Sequence, residues 1–310
     1  MLKTSFRIIA SVVAILLTWF CGYTFTPKIR SSLNAASEHH RFQDFCEKLS
    51  SLSQLKCEGG QWRLQREPLA WAHGGGIVDG LRYTNSKEAI EAAISNGFRV
   101  IEVDVSITSD GVPVLSHFWQ PNGENQFDGK TPSLKEFMGV NICDQLTPLS
   151  LSDLFAQYDQ WDGWFSIDPP ARGAASGDFD LVEWMCENLT EQQRRKVIYQ
   201  IYLEDDLARF AETGSPFGAL HYCADPYARS GQEWKIALLA PILPNIGCFS
   251  VSYNGNSPIS QRKSVVDTCR ASGLVVSVFG VNTISRYKMW KEAGASCINT
   301  DSLIPKDLVE

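Results

Sequence analysis

The chain has 310 residues, 44% of them hydrophobic and 20% charged, a composition that excludes a disordered segment and leaves room for one sizeable core. A formal charge of −7 argues against nucleic acid as the main partner, because binding a phosphate backbone needs a basic face. The nine cysteines include no Cys-x-x-Cys pair, which argues against a zinc ribbon and a thioredoxin-like motif.

After Lys3 and Arg7, residues 8–25 carry no charge, and about 18–20 apolar residues are enough to cross a bilayer as a helix. No A-x-A site closes this run, and Thr18-Trp19-Phe20 before Cys21 is too bulky for lipoprotein cleavage. Residues 1–30 therefore read as an uncleaved signal anchor, a single-pass membrane segment that leaves the rest of the chain outside the cytoplasm, in the periplasm of a bacterial cell. The basic residues specify orientation poorly, since Lys28 and Arg30 balance Lys3 and Arg7. Residues 31–67 are mixed and polar, with a short amphipathic piece around Phe42–Leu52, and read as a stalk. Within it, Cys46 and Cys57 are the expected disulfide pair.

From residue 68 to 310 short β-rich runs alternate with longer helical patterns. The strands are expected at 69–73, 99–105, 112–117, 164–168, 197–202, 217–222, 247–253, 274–280 and 295–299. Helices are expected at 86–96, 151–160, 179–189, 204–213, 231–240, 259–271 and 283–293, the first capped by Asn85 with Glu88 completing a capping box. Such repetition predicts an α/β fold with a parallel sheet covered by helices. Nine strands are one too many for an eight-stranded barrel. The pair 99–105 and 112–117, however, is joined by Ser109-Asp110-Gly111 with no room for a helix, so one irregular step sits in an otherwise (β/α)8 TIM barrel pattern. The runner-up, a doubly wound open sheet, lacks a Gly-x-Gly-x-x-Gly after any strand.

The second strand, Val100-Ile101-Glu102-Val103-Asp104-Val105, carries the chemistry. Side chains alternate along a strand, so Ile101, Val103 and Val105 face the helices while Glu102 and Asp104 point inward. Two carboxylates in a low-dielectric interior repel, and each costs several kcal/mol unless neutralised. Asp168 ends another strand, and His73 and His117 close two more, so all five lie near the C-terminal strand ends where barrel enzymes carry their sites. Three acids suit a hard divalent ion, Mg²⁺ or Ca²⁺, and the two histidines suit a proton donor and acceptor. His39 and His40 read as solvated stalk residues and His221 as structural.

The run from Ala72-His73-Gly74-Gly75-Gly76 through Tyr83-Thr84-Asn85-Ser86 to Ser116-His117 resembles the N-terminal signature of the glycerophosphodiester phosphodiesterase family. That signature has a His-Arg-Gly, an Asn-capped helix, a Glu-x-Asp strand, an acidic-Gly turn and a His. The C-terminal Val275–Asn282 run and Thr300-Asp301 are similar to the family's last two strands, so the resemblance spans about residues 68–305. It implies a phosphodiesterase barrel in which Glu102, Asp104 and Asp168 hold a divalent metal while His73 and His117 act as general acid and base. Two cations of the family pattern are missing. His73-Gly74-Gly75 replaces His-Arg-Gly, and Asp168, followed by Pro169-Pro170, replaces a Glu-x-Lys; an aspartate there resembles the sphingomyelinase D-like phosphodiesterases.

Arg172 and Lys130 are expected to supply the lost charge to the substrate. Of the aromatic residues placed near the rim, Trp119, Trp161, Trp164, Tyr253 and Phe279, only Trp119 is expected to touch it. The expected activity is metal-dependent hydrolysis of a glycerophosphodiester, a phospholipid head group or a cell-surface glycan phosphodiester. The alternatives are a phospholipase-like lyase that forms a cyclic phosphate and a non-catalytic, membrane-tethered glycan-binding barrel.

Overall fold

The computed structural model describes residues 34–52, 69–117, 119, 127, 129–170, 180–224, 231–243, 249–254 and 259–308. The apolar segment 8–25, Cys57 and Arg172 lie outside the described residues, and with them the anchor, the proposed disulfide and one of the two substrate cations. Among the described residues no helix is long and apolar enough to cross a membrane. Two compact units are distinguished, Met1–Lys48 and Leu49–Glu310. In the first, the described residues are helical from 34 onward, within a helix that continues to 52 and is longer than the amphipathic piece expected. Phe42 and Phe45, three apart, bring their ring centroids to 5.7 Å on one face of it.

The second unit is built on eight parallel strands, β1 (Leu69–Ala72), β4 (Val100–Ile107), β6 (Trp164–Asp168), β7 (Val197–Ile201), β8 (Ala219–Cys223), β9 (Phe249–Asn254), β10 (Val275–Phe279) and β11 (Cys297–Thr300). Each pairs in parallel with its neighbour in this sequence order. The sheet curls until β1 has a partner on both sides, Ala72 opposite Thr300 of β11 and opposite Ile101 of β4. Strands covered on both faces read as near-continuous apolar runs, and every residue of β4, β7, β8 and β11 is buried.

The irregular step lies where the sequence places it. β5 (Pro113–Leu115) pairs antiparallel with β4, Val105 opposite Leu115, across a turn closed by the Thr108 N–H on Val112 O. A two-residue hairpin, β2 (Ile77–Val78) with β3 (Leu81–Arg82), was not legible in the pattern.

Near the N-terminal strand ends, Trp71, Val100, Ile198, Ala219 and Cys297 form a buried cluster with Trp164 and Val275 packed on it. Seven strands contribute to this plug, and burying a large apolar side chain contributes about 1.5–3 kcal/mol. One level up, Ser166, Gln200, His221, Ser277 and Asn299 are also buried. His221 of β8 meets Ser277 of β10 at 3.4 Å, and its ring lies tilted against Trp71 of β1 with centroids 5.1 Å apart, contacts between non-adjacent strands that place it inside the barrel.

Several helices start on side-chain caps. Ser133 and Ser150 make capping boxes with Glu136 and Asp153, and Asp180 accepts from Val182 N and Glu183 N. The helix Lys87–Ser95 corrects the expectation at its start: its cap is Ser86, which accepts from Ala89 N, and Glu88 binds Thr147 instead of closing a box. Asn85, with φ of 53°, turns its amide away from the helix and into the mouth of the barrel.

Candidate active site

Alternation along β4 delivers Glu102 and Asp104 to the barrel mouth, and the register places Asp104 directly opposite Asp168 of β6. One carboxylate oxygen from each of Glu102, Asp104 and Asp168 lies within 4.8 Å of the others. Glu102 and Asp104 are buried. Burial first, and then the charge of Asp104, pushes the Glu102 carboxyl well above the usual range and Asp168 up to about 7. Hydrogen bonds offset only part of this. The Gly74 N–H donates to Glu102 Oε2 at 2.6 Å, Tyr202 donates to Asp168 Oδ1 at 2.8 Å, and Asn85 Nδ2 and the Tyr83 hydroxyl donate to the two oxygens of Asp104 at 2.9 and 3.0 Å. A convergent set of three carboxylates, of which Glu102 and Asp168 are pushed up by burial and by the charge of Asp104, is chemically matched to a hard divalent cation, which offsets that repulsion. This donor set could hold such an ion.

The histidines flank the acids. His73 follows β1 in a 3₁₀ turn (His73–Gly75), and because Ala72 is in register with Thr300, His73 meets Asp301, its Nδ1 at 2.5 Å from Oδ1. Asp301 is itself fixed by Asn282, which donates from Nδ2 to Oδ2 at 2.5 Å and accepts from the Asp301 N–H at 2.8 Å. Burial works against a charge on His73, yet Glu102, Asp301 and Asp104 together raise its pKa to about 9. His117, just beyond β5, has its Nε2 3.8 Å from Asp104 Oδ1 and is more exposed. Burial lowers its pKa despite Asp104. The two rings thus differ: His73 carries a proton at neutral pH and His117 tends to be neutral.

Between them stands Tyr83, its ring centroid 4.6 Å from that of His73 and 5.0 Å from that of His117. The roles of Tyr83, Asn85, Tyr202 and Asn282 are absent from what the sequence alone indicates. Thr300-Asp301 entered it only through the family resemblance. Of the expected substrate residues, Lys130 is exposed on the loop after His117, and Trp119 is packed edge-on against Phe127 at 6.0 Å and Phe137 at 5.8 Å. Trp161 and Trp164 correct the rim assignment. They precede and open β6, which puts them at the N-terminal end of the barrel, where Trp161 packs on Phe165 and Trp164 on the core plug.

Residues 78–118 match the model of the Glycerophosphoryl diester phosphodiesterase family, a stretch that contains Glu102, Asp104 and His117. The match covers the N-terminal part of the resemblance read from the motifs. A search of curated proteins finds no match. Among solved structures, the chain is similar to a glycerophosphoryl diester phosphodiesterase from Parabacteroides distasonis ATCC 8503, with a TM-score of 0.55 and 18% identity over 83% of this chain and 88% of that one. It is similar to a glycerophosphodiester phosphodiesterase from Agrobacterium tumefaciens str. C58, at TM-score 0.57 and 13% identity, over 76% of this chain and 97% of that one. It is also similar to an Oleispira antarctica phosphodiesterase in complex with the product sn-glycerol-3-phosphate, at TM-score 0.57 and 18% identity, over 78% and 95%. At such identities the likeness carries the fold alone.

Proposed function

We infer that this chain is a metal-dependent phosphoric diester hydrolase of the glycerophosphodiester phosphodiesterase type, the family whose model matches residues 78–118, and acts on a small phosphodiester: a glycerophosphodiester, a phospholipid head group or a glycan phosphodiester. The observation that carries the metal is the convergence of three oxygen donors within 4.8 Å in a buried setting that their own charges make unfavourable. Glu102, Asp104 and Asp168 would hold the ion, which would supply charge stabilisation at a non-bridging phosphate oxygen.

The rest of the work falls to the histidines. His73 begins protonated, with Nδ1 donating to Asp301, so Nε2 is the nitrogen left to hand a proton to the departing alkoxide. The share of its raised pKa that Asp301 supplies does not depend on the acids that hold the ion. His117, tending to be neutral and more open to solvent, takes the proton of the attacking hydroxyl group. A small substrate is also supported by the glycerol phosphate bound to the Oleispira neighbour. A membrane position, through the apolar run at 8–25, rests on the sequence and belongs to the proposal.

The test is a panel of glycerophosphodiesters, lysophospholipids and a chromogenic diester, each incubated with the full chain in detergent, with Mg²⁺, Ca²⁺ or chelator. Cleavage of a member of the panel that chelator abolishes is the expected result. Equal cleavage with and without metal would overturn the metal-dependent reading.

A further inference from the structure

The sequence has Gly74 and Gly75 after His73, and the structure shows what occupies the space above Gly74. A Cβ placed on Gly74 would lie 2.3 Å from Tyr83 Cδ2, 2.7 Å from its Cγ and 2.8 Å from its Cα. No side chain fits there while Tyr83 stays where it is, and Gly74 has a φ of 55° that few L residues adopt. Tyr83 also lies in the left-handed region, at φ of 61°, where a bulky residue is seldom found unless its surroundings hold it. Here they do: the Tyr83 N–H donates to Gly76 O at 3.2 Å and the Asn85 N–H to Gly74 O at 3.0 Å. The loop after β1 and the lead into the first barrel helix are thus laced together, and the strain sits in the active-site mouth.

We propose that Tyr83 is a positioning residue for the phosphodiesterase site, and that Gly74 is glycine in order to admit it. The proposal rests on the functional reading above. Tyr83 does two things through other groups. Its hydroxyl donates to Asp104 Oδ1 while Asn85 donates to Oδ2, so the carboxylate is held at both oxygens and cannot swing away from Glu102 and Asp168. Its ring fills the gap between His73 and His117, at 4.6 and 5.0 Å from them, and keeps the two proton-transfer groups from collapsing onto each other. The missing family arginine is then a coupled exchange: residue 74 has no side chain because residue 83 lies across it.

The two roles separate experimentally in the full chain in detergent. Titration calorimetry with Mg²⁺ alone reads the first. Tyr83→Phe, which keeps the ring, is expected to melt like wild type and to bind the ion about 10–100-fold more weakly, the usual cost of removing an outer hydrogen bond to a ligand, while kcat on a chromogenic diester recovers at saturating metal. Tyr83→Leu is expected to lose affinity and, at saturating metal, kcat as well. Gly74→Ala should reproduce Tyr83→Leu, and Gly74→Ala combined with Tyr83→Leu should be no worse than either alone, the non-additivity of a contacting pair.

Wild-type metal affinity in Tyr83→Phe, or wild-type kcat in Tyr83→Leu, would overturn the proposal. If the unmutated chain itself neither binds a divalent ion nor cleaves a diester, it is the underlying functional reading that fails, and the proposal with it.

Discussion

Two levels of the barrel each hold a histidine, half-buried at the mouth and buried below, and they settle it in opposite ways. At the mouth, His73 is raised to about 9; one layer down, His221 is lowered to about 3. Both feel burial, which disfavours the charged ring. The difference is company: His73 faces Glu102, Asp104 and Asp301, whereas the neighbours of His221 include Ser277 and the tilted ring of Trp71. The lower layer is polar but carries no acid, built from Ser166, Gln200, Ser277 and Asn299. The upper layer gathers three acids whose charges only a cation or protons can balance. Burial with uncompensated charge marks the working layer, while burial with neutral partners marks the supporting one.

The sharpest way to break that comparison is to remove the charge. Glu102→Gln or Asp104→Asn should lower diester cleavage by about 10³-fold or more, the several kcal/mol a bound metal supplies. The same variants should melt higher than wild type without metal, by ~2–4 °C for each kcal/mol of repulsion relieved. Lower melting in both would make the acids a structural network. Next come the histidines. His73→Ala and His117→Ala should each cost about 10²–10⁴-fold in turnover with metal binding retained, whereas His221→Ala should leave turnover near wild type and lower stability by about 1–3 kcal/mol through its lost buried contacts. Equal catalytic losses at His73 and His221 would erase the distinction between the layers.

A smaller effect is expected at Asp301. Replacing it with Asn removes a charge that raises His73, so the pKa of that ring falls from about 9. Since the protonated ring is the active donor, the alkaline limb of the pH–rate profile should move to lower pH, with turnover down by about tenfold. An unmoved alkaline limb would remove His73 as the acid.

The smallest effect is on stability against pH. Asp168 has a folded pKa near 7, above its unfolded value, so its contribution to stability is fully present below about pH 4 and is lost as pH rises through 7. The metal-free chain should melt progressively lower between those values, and added Mg²⁺ or Ca²⁺ should recover the loss most strongly near pH 7–8. Melting that rises across that interval without metal would contradict the shared burial of the acids.

Much of this was legible in the sequence, for reasons that can be named. The alternation in Val100–Val105 gave the direction of Glu102 and Asp104 because a strand's period is two whatever surrounds it. The tight turn at Ser109-Asp110-Gly111 accounted for β5, and the helices at 204–213 and 259–271 follow their apolar spacing to the residue. What failed depends on polarity and closure. Trp161 and Trp164 were placed at the working rim, but a residue at a strand's start lies at the opposite end of the barrel from one at its finish. Asn85 looked like a cap because Asn caps helices well; tertiary contact with Asp104 took its amide, and Ser86 took over the cap. Tyr83 had no signal, since its place comes from a left-handed backbone just after the short strand β3. Asp301 reaches His73 only because β11 closes on β1, a pairing that joins residues 228 positions apart.

The account stands on the acids at the barrel mouth being a divalent-metal site, and calorimetric titration of the metal-free chain with Mg²⁺ and with Ca²⁺, run beside Glu102→Gln and Asp104→Asn, tests that most directly. One saturable site is expected in the unmutated chain, with protons released as the ion enters, and no such site in either variant. Binding of wild-type strength in both variants would contradict it.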